Sequence, residues 1–464
     1  MKIRNRNSAF TSIDPFTGQF MKKYAEHRWK EVQQILYKVR RGTEMNAATP
    51  INVRSEWMNR LADLLISRKK NLAELITSEM GKPIRQSVAE IEKCALVCQY
   101  YAKHAADFLQ DDYIETTYTS SVVRHLPVGV ILAIMPWNFP FWQVFRFGAA
   151  ALMAGNGIVL KHAPNVPQCA MAIQDLIHEA GFPVETFQVV FVSDPKSRWL
   201  IEAPQIDALS FTGSNATAAK IGEIAGRCGK KMVMELGGSD AFIVLDDANI
   251  RETARAAIHA RMVNNGQSCI AAKRFIVLDT VAHEFIGEIL RNMKLLHTGN
   301  PMLETTDVGP IARHDLVARL EEQVNLSVKM GARIIFGGPN QTEKDTNDLF
   351  FPPTVMLHVD RDMPVMQEEI FGPVMPICTA RSIDDAVRIA NDTPYGLAAS
   401  IWTNDTERAL EIAKRLRVGT TFINSMVVSD PQLPFGGTKH SGYGRELGKE
   451  GILEFTYTQT IVVK

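Results

Sequence analysis

The sequence has little cysteine, and the cysteines it has are not arranged as a metal site. Its 464 residues include six of them, at positions 94, 98, 169, 228, 269 and 378. A structural zinc site needs CxxC pairs or clustered histidines, and both are absent. So few cysteines in so long a chain exclude a disulfide framework and predict reduced thiols. We therefore expect a cytoplasmic protein without a bound metal.

An excess of one charge is also absent, since 51 Lys and Arg residues balance 51 Asp and Glu residues. No basic field favours nucleic acid, so the predicted partner is a small molecule. No apolar stretch reaches the length of a membrane span, and none follows the basic residues Lys2, Arg4 and Arg6 as a signal peptide would require. We expect two or three domains that bind neither nucleic acid nor membrane.

Short apolar runs, separated by segments of helix length, occupy the chain from Val128 to Met234. Such runs are typical of parallel strands buried on both faces, and they predict a Rossmann-like doubly wound sheet. Helical periodicity over Asn52–Met80 and then Ala89–Phe108 precedes this region. The predicted strands cover Val128–Met135, Ile158–Leu160, Phe187–Val192, Ala208–Phe211 and Met232–Met234.

The second half of the chain repeats the alternation and predicts a second α/β domain, which begins near Glu235. Two β-branched segments, Thr116–Leu126 and Glu454–Val463, fit neither pattern and are interpreted as strands that could pair with each other at an oligomer contact. The predicted strands of the second domain cover Ala241–Leu245, Phe275–Leu278, Arg333–Phe336 and Leu397–Trp402.

The stretch Asn264–Ala272 carries one cysteine in a polar segment between two apolar ones. Gly266 permits a close backbone approach, and the small residues after Cys269 leave space beside its sulfur. This pattern is compatible with a nucleophile and also with a small buried residue. The glutamate of Glu235–Gly238, at the end of a predicted strand, is likewise compatible with a general base or with an ion-paired surface residue.

Taken together, these residues supply the parts of covalent aldehyde oxidation. Cys269 is the candidate nucleophile, Glu235 the base, Asn138 an amide held between Trp137 and prolines, and Lys161 a cation after a buried strand. A cysteine hydrolase would need a histidine beside the nucleophile, and no histidine stands in a recognisable motif for that role. A non-catalytic protein on the same fold would not need all of these groups.

Six motifs resemble those of the aldehyde dehydrogenase superfamily, in order and over nearly the whole chain. The resemblance implies an α/β fold with a Rossmann-like dinucleotide-binding domain (1–112 and 128–235), an α/β catalytic domain (236–440) and a small β oligomerisation extension (113–127 and 450–464) in a homodimer or homotetramer. The motifs are Pro136–Phe139, Phe211–Ser214, Glu235–Gly238, Gly266–Cys269, Glu368–Pro373 and Pro434–Gly437.

The resemblance also implies the roles of the site residues. Cys269 would attack the aldehyde, Asn138 would donate to the oxyanion beside the Cys269 backbone N–H, and hydride would pass to NAD or NADP. Glu235 would activate water, so the product would be a free acid. The implied coenzyme-binding residues are Trp137, Lys161, Gly213, Ser214, Leu236, Glu369 and Phe371.

Local phrasing around Lys161 and Cys269 resembles bacterial enzymes that oxidise succinate semialdehyde. Arg146 would bind the far carboxylate of that substrate with help from Ser429, and Phe435 would line the substrate funnel. Val263 stands where some of those enzymes have a second arginine. An ion pair between Arg146 and a neighbouring acid is the alternative, and other short aliphatic or aromatic aldehydes are alternative substrates.

Two positions near Lys161 bear on the coenzyme. Three residues after the coenzyme-binding lysine, the family usually has a glutamate whose carboxylate would repel a 2′-phosphate. Pro164 stands at that position here, so the choice between NAD and NADP stays open. His162 is interpreted as a packed, hydrogen-bonded residue rather than a proton relay.

Overall fold

The structure is a computed structural model that describes residues 10–339 and 347–464. Residues 1–9, with Lys2, Arg4 and Arg6, belong to the predicted first domain but lie outside the described residues. The described helices are α1 Trp29–Ala48, α2 Ile51–Ser67, α3 Lys69–Met80, α4 Ile84–Phe108, α5 Trp142–Met153, α6 Pro167–Ala180, α7 Ser197–Glu202, α8 Asn215–Arg227, α9 Ile250–Met262, α10 Asp279–Met293, α11 His314–Lys329, α12 Pro364–Gln367, α13 Ile383–Asn391, α14 Thr406–Ala413 and α15 Gly448–Glu454.

The described strands form four sheets, of two, six, seven and three strands. They are β1 Phe10–Ile13, β2 Phe20–Tyr24, β3 Asp112–Tyr113, β4 Ser120–Pro127, β5 Val130–Met135, β6 Gly157–His162, β7 Phe187–Val189, β8 Ala208–Thr212, β9 Lys231–Glu235, β10 Asp240–Val244, β11 Ala272–Leu278, β12 Arg333–Phe336, β13 Thr354–Leu357, β14 Val374–Ala380, β15 Ala398–Trp402, β16 Thr420–Ile423, β17 Gly442–Tyr443 and β18 Thr456–Val463.

The first large sheet has the order β17-β9-β8-β5-β6-β7, and all its pairs are parallel except β17 with β9. Every residue of β5 is buried, as expected for a strand covered by helices on both faces. From β5 the chain continues to β6 and β7 on one side of that strand, and it then crosses to β8 and β9 on the other side. That arrangement opens a crevice at the carboxyl end of β5, where Pro136–Pro140 begins. The Rossmann-like prediction is confirmed.

The second large sheet has the order β12-β13-β14-β11-β10-β15-β16, with one antiparallel pair, β12 and β13. Its strand β10 begins shortly after β9 ends at Glu235, so the carboxyl edge of the first sheet adjoins the amino edge of the second. After β16 the chain returns to the first sheet, where Gly442 of β17 pairs with Glu235. This return was not anticipated from the sequence, and it adds residues beyond 440 to the first domain.

The two β-branched segments do pair with each other. β18 runs antiparallel to β4, from Thr456 opposite Pro127 to Val463 opposite Ser120, in a sheet of order β18-β4-β3. Both strands are shorter than predicted, because β4 begins at Ser120 and residues 450–454 complete helix α15.

The prediction of one helix over Asn52–Met80 is wrong. Helix α2 ends at Ser67 and α3 begins at Lys69, because Arg68 between them has non-helical dihedral angles (φ −106°, ψ 9°). Both helices pack on the long helix α4 and on α6, and α3 also contacts β1. Across residues 10–339 and 347–464, no helix combines the length and apolar character that crossing a membrane requires.

Candidate active site

The segment before Cys269 has an unusual backbone. Asn264, Asn265 and Gly266 follow one another in the left-handed region, with φ of 57°, 58° and 75°. Glycine adopts this conformation freely, whereas asparagine does so at a cost. A Cβ on Gly266 would also collide with the backbone of Gly372. The close approach predicted for Gly266 is therefore present.

The two asparagine side chains hold this backbone in place. Asn265 Nδ2 donates to the carbonyl oxygens of Gly81 (3.1 Å) and Pro310 (2.9 Å). Asn264 Nδ2 donates to the Asn138 carbonyl oxygen at 2.6 Å. These hydrogen bonds to neighbouring segments stabilise the strained backbone, and they give Cys269 a fixed position.

The Asn138 side chain reaches the same loop from the first sheet. Its Nδ2 donates to the Gln267 carbonyl oxygen at 3.0 Å, and its Oδ1 is buried without a hydrogen-bond partner among the described residues. An amide nitrogen carries two hydrogens, so one stays available after this bond. That hydrogen and the backbone N–H of Cys269 are suited to an oxyanion.

The Asn138 loop is anchored by a buried ion pair that the sequence did not indicate. Glu90 Oε1 accepts hydrogen bonds from the backbone N–H groups of Phe141 (2.8 Å) and Trp142 (2.9 Å), at the start of α5. The other oxygen of Glu90 pairs with Lys82, and both side chains are buried. A carboxylate at a helix start satisfies free N–H groups and is favoured by the helix dipole.

The thiol of Cys269 lies in a low-dielectric environment between two cations. Burial raises the pKa of Cys269 to about 11, and the positive charges of Arg146 and Lys273 act against that rise. Lys273 is fully buried, and its Nζ donates to the carbonyl oxygens of Ser268 (2.8 Å) and Cys269 (2.6 Å). Its ammonium lies 3.7 Å from Glu369, which links the Cys269 loop to the predicted coenzyme side.

Glu235 is a buried side chain rather than a surface one. It ends β9 with 2 % of its surface exposed, and its Oε1 has no hydrogen-bond partner among the described residues. Burial raises its pKa well above the usual carboxyl range, Arg146 opposes the rise, and Glu446 adds to it. A Cβ on Gly238 would approach the Cys269 carbonyl oxygen to 2.7 Å, so the Glu235 and Cys269 segments are in contact.

The residues predicted to bind the coenzyme lie along the facing sheet edges. Lys161 Nζ forms a 2.7 Å ion pair with the exposed Asp194, and Ser214 caps helix α8, accepting from the Thr217 N–H. Glu369 accepts a hydrogen bond from the Gly238 N–H at 3.1 Å. The Phe371 ring packs edge-on against Trp137, with centroids 5.9 Å apart.

Gly213 and Leu236 lie beside these groups. The Gly213 N–H donates to the Glu235 carbonyl oxygen (3.0 Å), and the half-buried Leu236 donates its N–H to the Ser441 carbonyl oxygen (3.0 Å). Both residues therefore fix the backbone between β8, β9 and β17.

This edge fits a dinucleotide. Helix α8 directs its first N–H groups toward the edge, as anion sites do, and Lys161 adds a cation. The side-chain amide of Asn165, in the loop after β6, is buried with neither polar atom hydrogen-bonded within the described chain. A buried amide without a partner has capacity to bind a polar ligand.

His162 takes no part in such binding. Its Nε2 lies 2.8 Å from the Pro140 carbonyl oxygen, and its Nδ1 accepts from the Ala163 N–H at 2.9 Å. Burial lowers the pKa of His162 to about 4, so the ring is neutral. Both nitrogens are occupied by backbone groups, which matches the packing interpretation.

A cavity of about 570 Å³ opens beside Cys269. Arg146 and Ser429 line it, as do Lys93 on α4 and Arg255 on α9. Phe435 is not among the side chains that line it. The Arg146 guanidinium carbon lies over the Phe435 ring, at 4.6 Å from the centroid of that ring.

Arg146 forms the ion pair considered as the alternative to a substrate role. Its Nε binds Glu446, and each of the two residues is 1 % exposed. Its terminal nitrogen reaches the Thr212 hydroxyl at 3.4 Å. The guanidinium thus faces the cavity while one edge is already bound.

We expect Arg146→Leu to lower the free energy of unfolding by about 3–5 kcal/mol, because Glu446 would remain buried without its cation. Urea unfolding would measure the change. Arg124→Leu is the matched control, since its pair with Asp111 is partly exposed and should contribute about 0–1 kcal/mol. Replacing both Arg146 and Glu446 by leucine should recover part of the loss. Wild-type stability in Arg146→Leu would contradict the structural role of this pair.

The chain also matches known proteins. The model of the aldehyde dehydrogenase family matches residues 3–461. The chain belongs to the aldehyde dehydrogenase family. It is 44% identical over 453 residues, which are 98% of this chain and 99% of the relative, to a protein of Synechocystis sp. named "Probable succinate-semialdehyde dehydrogenase (NADP+)".

One further relative of this aldehyde dehydrogenase and one solved structure have similar names. A succinate-semialdehyde dehydrogenase (NADP+) of Mycobacterium leprae is 40% identical over 456 residues, covering 98% of this chain and 99% of the relative. The crystal structure of succinic semialdehyde dehydrogenase from Streptococcus pyogenes with NADP+ superimposes with a TM-score of 0.95 at 33% identity, covering 98% of this chain and 99% of that one. The predicted family, fold class and NAD(P)-dependent enzyme class are confirmed.

Several residues of the site escaped the sequence analysis. Lys93 and Glu446 carry no local motif, and each acquires its partner only through the fold. Lys273 lies in a stretch that resembles the bacterial enzymes, but the resemblance implied no role for it. The one available signal was the pair of charged residues, Lys273 and Arg274, near the start of the buried strand β11.

Proposed function

We propose that this aldehyde dehydrogenase oxidises succinate semialdehyde to the free acid, with NADP+ as its preferred coenzyme. The observation that carries the proposal is the cavity beside Cys269. Cations from three helices, Lys93, Arg146 and Arg255, line it together with the Ser429 hydroxyl. An aldehyde that carries a carboxylate at its far end matches this lining in charge.

The chain's own residues perform the covalent steps. The Cys269 thiol gives up its proton to solvent, and the thiolate bonds to the aldehyde carbon while the Asn138 amide and the Cys269 N–H donate to the oxygen that becomes negative. Lys161, Ser214, Glu369 and Phe371 would hold NADP+, which would supply the hydride acceptor, and loss of hydride from the former aldehyde carbon leaves a thioester. Water then attacks this thioester while Glu235 takes a proton of that water, and the carbon–sulfur bond breaks to release the free acid and the Cys269 thiolate.

The coenzyme preference rests on position 164 and on the relatives. Pro164 places no carboxylate beside Lys161, so nothing at that position repels a 2′-phosphate. The Synechocystis and Mycobacterium leprae relatives carry NADP+ in their names. Asp194 does pair with Lys161, but its side chain is largely exposed and therefore solvent-screened.

A kinetic panel tests the proposal. Succinate semialdehyde, butanal and benzaldehyde would each be assayed with NADP+ and with NAD+, following absorbance of the reduced coenzyme. We expect the highest kcat/KM for succinate semialdehyde with NADP+. A preference for butanal or benzaldehyde would assign the chain to the other aldehyde substrates.

We propose a homodimer or homotetramer assembled through the sheet of β18, β4 and β3. β18 is an edge strand of its sheet, and its side chains Tyr457, Ile461, Val462 and Val463 are exposed. Long, apolar edge strands favour pairing with another chain. This exposed edge supports the assembly predicted from the resemblance.

Deleting Thr456–Lys464 should give monomers or aggregates, because it removes the edge strand. Phe455 should be retained, since it is 1 % exposed and its carbonyl oxygen accepts from Asn156 Nδ2 (2.9 Å). Light scattering after size-exclusion chromatography measures the mass. A milder variant, Ile461→Lys, should weaken association without shortening the chain. Native mass in the truncated protein would exclude this edge as the interface.

We also propose that the protein works in the cytoplasm. All six cysteines are free thiols, including the exposed Cys228. Free thiols are typical of a reducing compartment.

A further inference from the structure

Lys93 differs from the other cations that line the cavity beside Cys269. It lies on α4, its Nζ donates to the Ser429 hydroxyl oxygen at 2.6 Å, and it lies 4.3 Å above the Trp142 ring centroid. Both of these neighbours also line the cavity. Within the described part of the chain, no carboxylate lies within 4 Å of this ammonium.

The other lining cations are either paired or exposed. Arg146 binds Glu446, and Arg85 forms a 2.9 Å pair with Asp307. Arg255 has no carboxylate partner among the described residues, but it is exposed to solvent. A charge in water gains little from an added partner, whereas a half-buried one such as Lys93 gains more.

We propose that Lys93, with the Ser429 hydroxyl, binds the terminal carboxylate of the substrate, so that Lys93 rather than Arg146 determines the preference for ω-carboxylated aldehydes. The inference rests on the proposed function and assigns its specificity to one of the cations that line the cavity. Arg146, which also lines the cavity, is then a positioning residue held by Glu446.

The donor geometry of the pair is suited to a carboxylate. An ammonium has three N–H donors, and one of them is used on Ser429. Because the Ser429 oxygen accepts from Lys93, its own hydrogen is free to donate. A carboxylate beside the pair would therefore receive one charge-assisted bond and one hydroxyl bond.

The charge of Lys93 is sensitive to pH. Burial lowers its pKa to about 8, and Arg146 on α5 acts in the same direction. Glu90 and Cys94 on α4 and Asp430 in the loop after Ser429 oppose the shift. The free enzyme therefore loses this positive charge as the pH rises through about 8. The preference for a carboxylated substrate should decline in the same range.

The test compares kcat/KM for succinate semialdehyde with kcat/KM for butanal in Lys93→Met. We expect the ratio to fall about 10- to 150-fold, which is the change in affinity that the loss of a charge-assisted hydrogen bond typically causes. Most of the loss should appear in KM for succinate semialdehyde, because the carboxylate is bound equally in ground and transition states. Lys93→Arg should retain part of the preference. Lys103→Met, an exposed lysine on the same helix, is the matched control and should keep the wild-type ratio.

A second measurement follows the pH dependence of this ratio in the wild-type enzyme, and a variant serves only as its control. Its ratio for the two substrates should decline above about pH 8, and that decline should vanish in Lys93→Met. An unchanged ratio in Lys93→Met, or a selective loss in Arg146→Leu instead, would overturn the role of Lys93. A wild-type enzyme with no preference for succinate semialdehyde would instead refute the proposed function.

Discussion

In Cys269→Ala, we expect aldehyde-dependent formation of NADPH to fall by at least about 10³-fold with every aldehyde, because in the proposed mechanism the thiol forms the covalent bond to substrate. Coenzyme binding should persist, since Lys161 and Ser214 lie on the first sheet and do not contact the thiol. Steady-state absorbance measures turnover, and a fluorescence titration with NADPH measures binding.

The exposed thiol Cys228 provides the control for this experiment. Cys228→Ala removes a cysteine on the surface and should retain full activity. Turnover of Cys269→Ala within tenfold of wild type would show that another group attacks the aldehyde. Loss of coenzyme binding would show that the variant perturbs the fold as well as the chemistry.

The second large effect is expected in Glu235→Gln. This variant should release about one equivalent of NADPH per active site in a burst and then turn over about 10²–10⁴-fold more slowly, because water lacks its base. Glutamine has the shape of glutamate, and Glu235 Oε1 has no hydrogen bond to lose within the described chain. Stopped-flow absorbance would resolve the burst from the slow phase.

A glutamate on the surface gives the comparison. Glu223 on α8 is exposed, and its pair with Arg227 is 3.5 Å long. Glu223→Gln should therefore keep wild-type kinetics in both phases. An unchanged steady-state rate in Glu235→Gln would assign the base to a different group.

The buried strands could be predicted from the sequence because their information is local. Runs such as that in β5 are apolar at every position, and they leave few alternatives to a covered parallel sheet. The break at Arg68 could not be predicted in the same way, since helical periodicity continues on both sides of it. What separates α2 from α3 is the non-helical backbone of Arg68, which no local residue pattern indicates.

The site residues also divide into those that local motifs predict and those that only the fold brings together. Cys269, Glu235 and Asn138 stand in short motifs, so their proximity could be expected before the fold was known. The side chains that bind the cations could not be predicted, because Arg146 and Glu446 are 300 positions apart. Lys93 and Ser429 are 336 positions apart. No local pattern indicates that the buried Arg146 is ion-paired while the half-buried Lys93 has no carboxylate partner among the described residues.

The most direct test of the central claim is the mass of the trapped enzyme. Glu235→Gln would be mixed with succinate semialdehyde and NADP+, quenched in acid at the end of the burst, digested and analysed by mass spectrometry. A succinyl group on the peptide that contains Cys269, in an amount equal to the NADPH released, is the predicted result. A full burst without an adduct on Cys269, or with the adduct on Cys228 or Cys378, would contradict it.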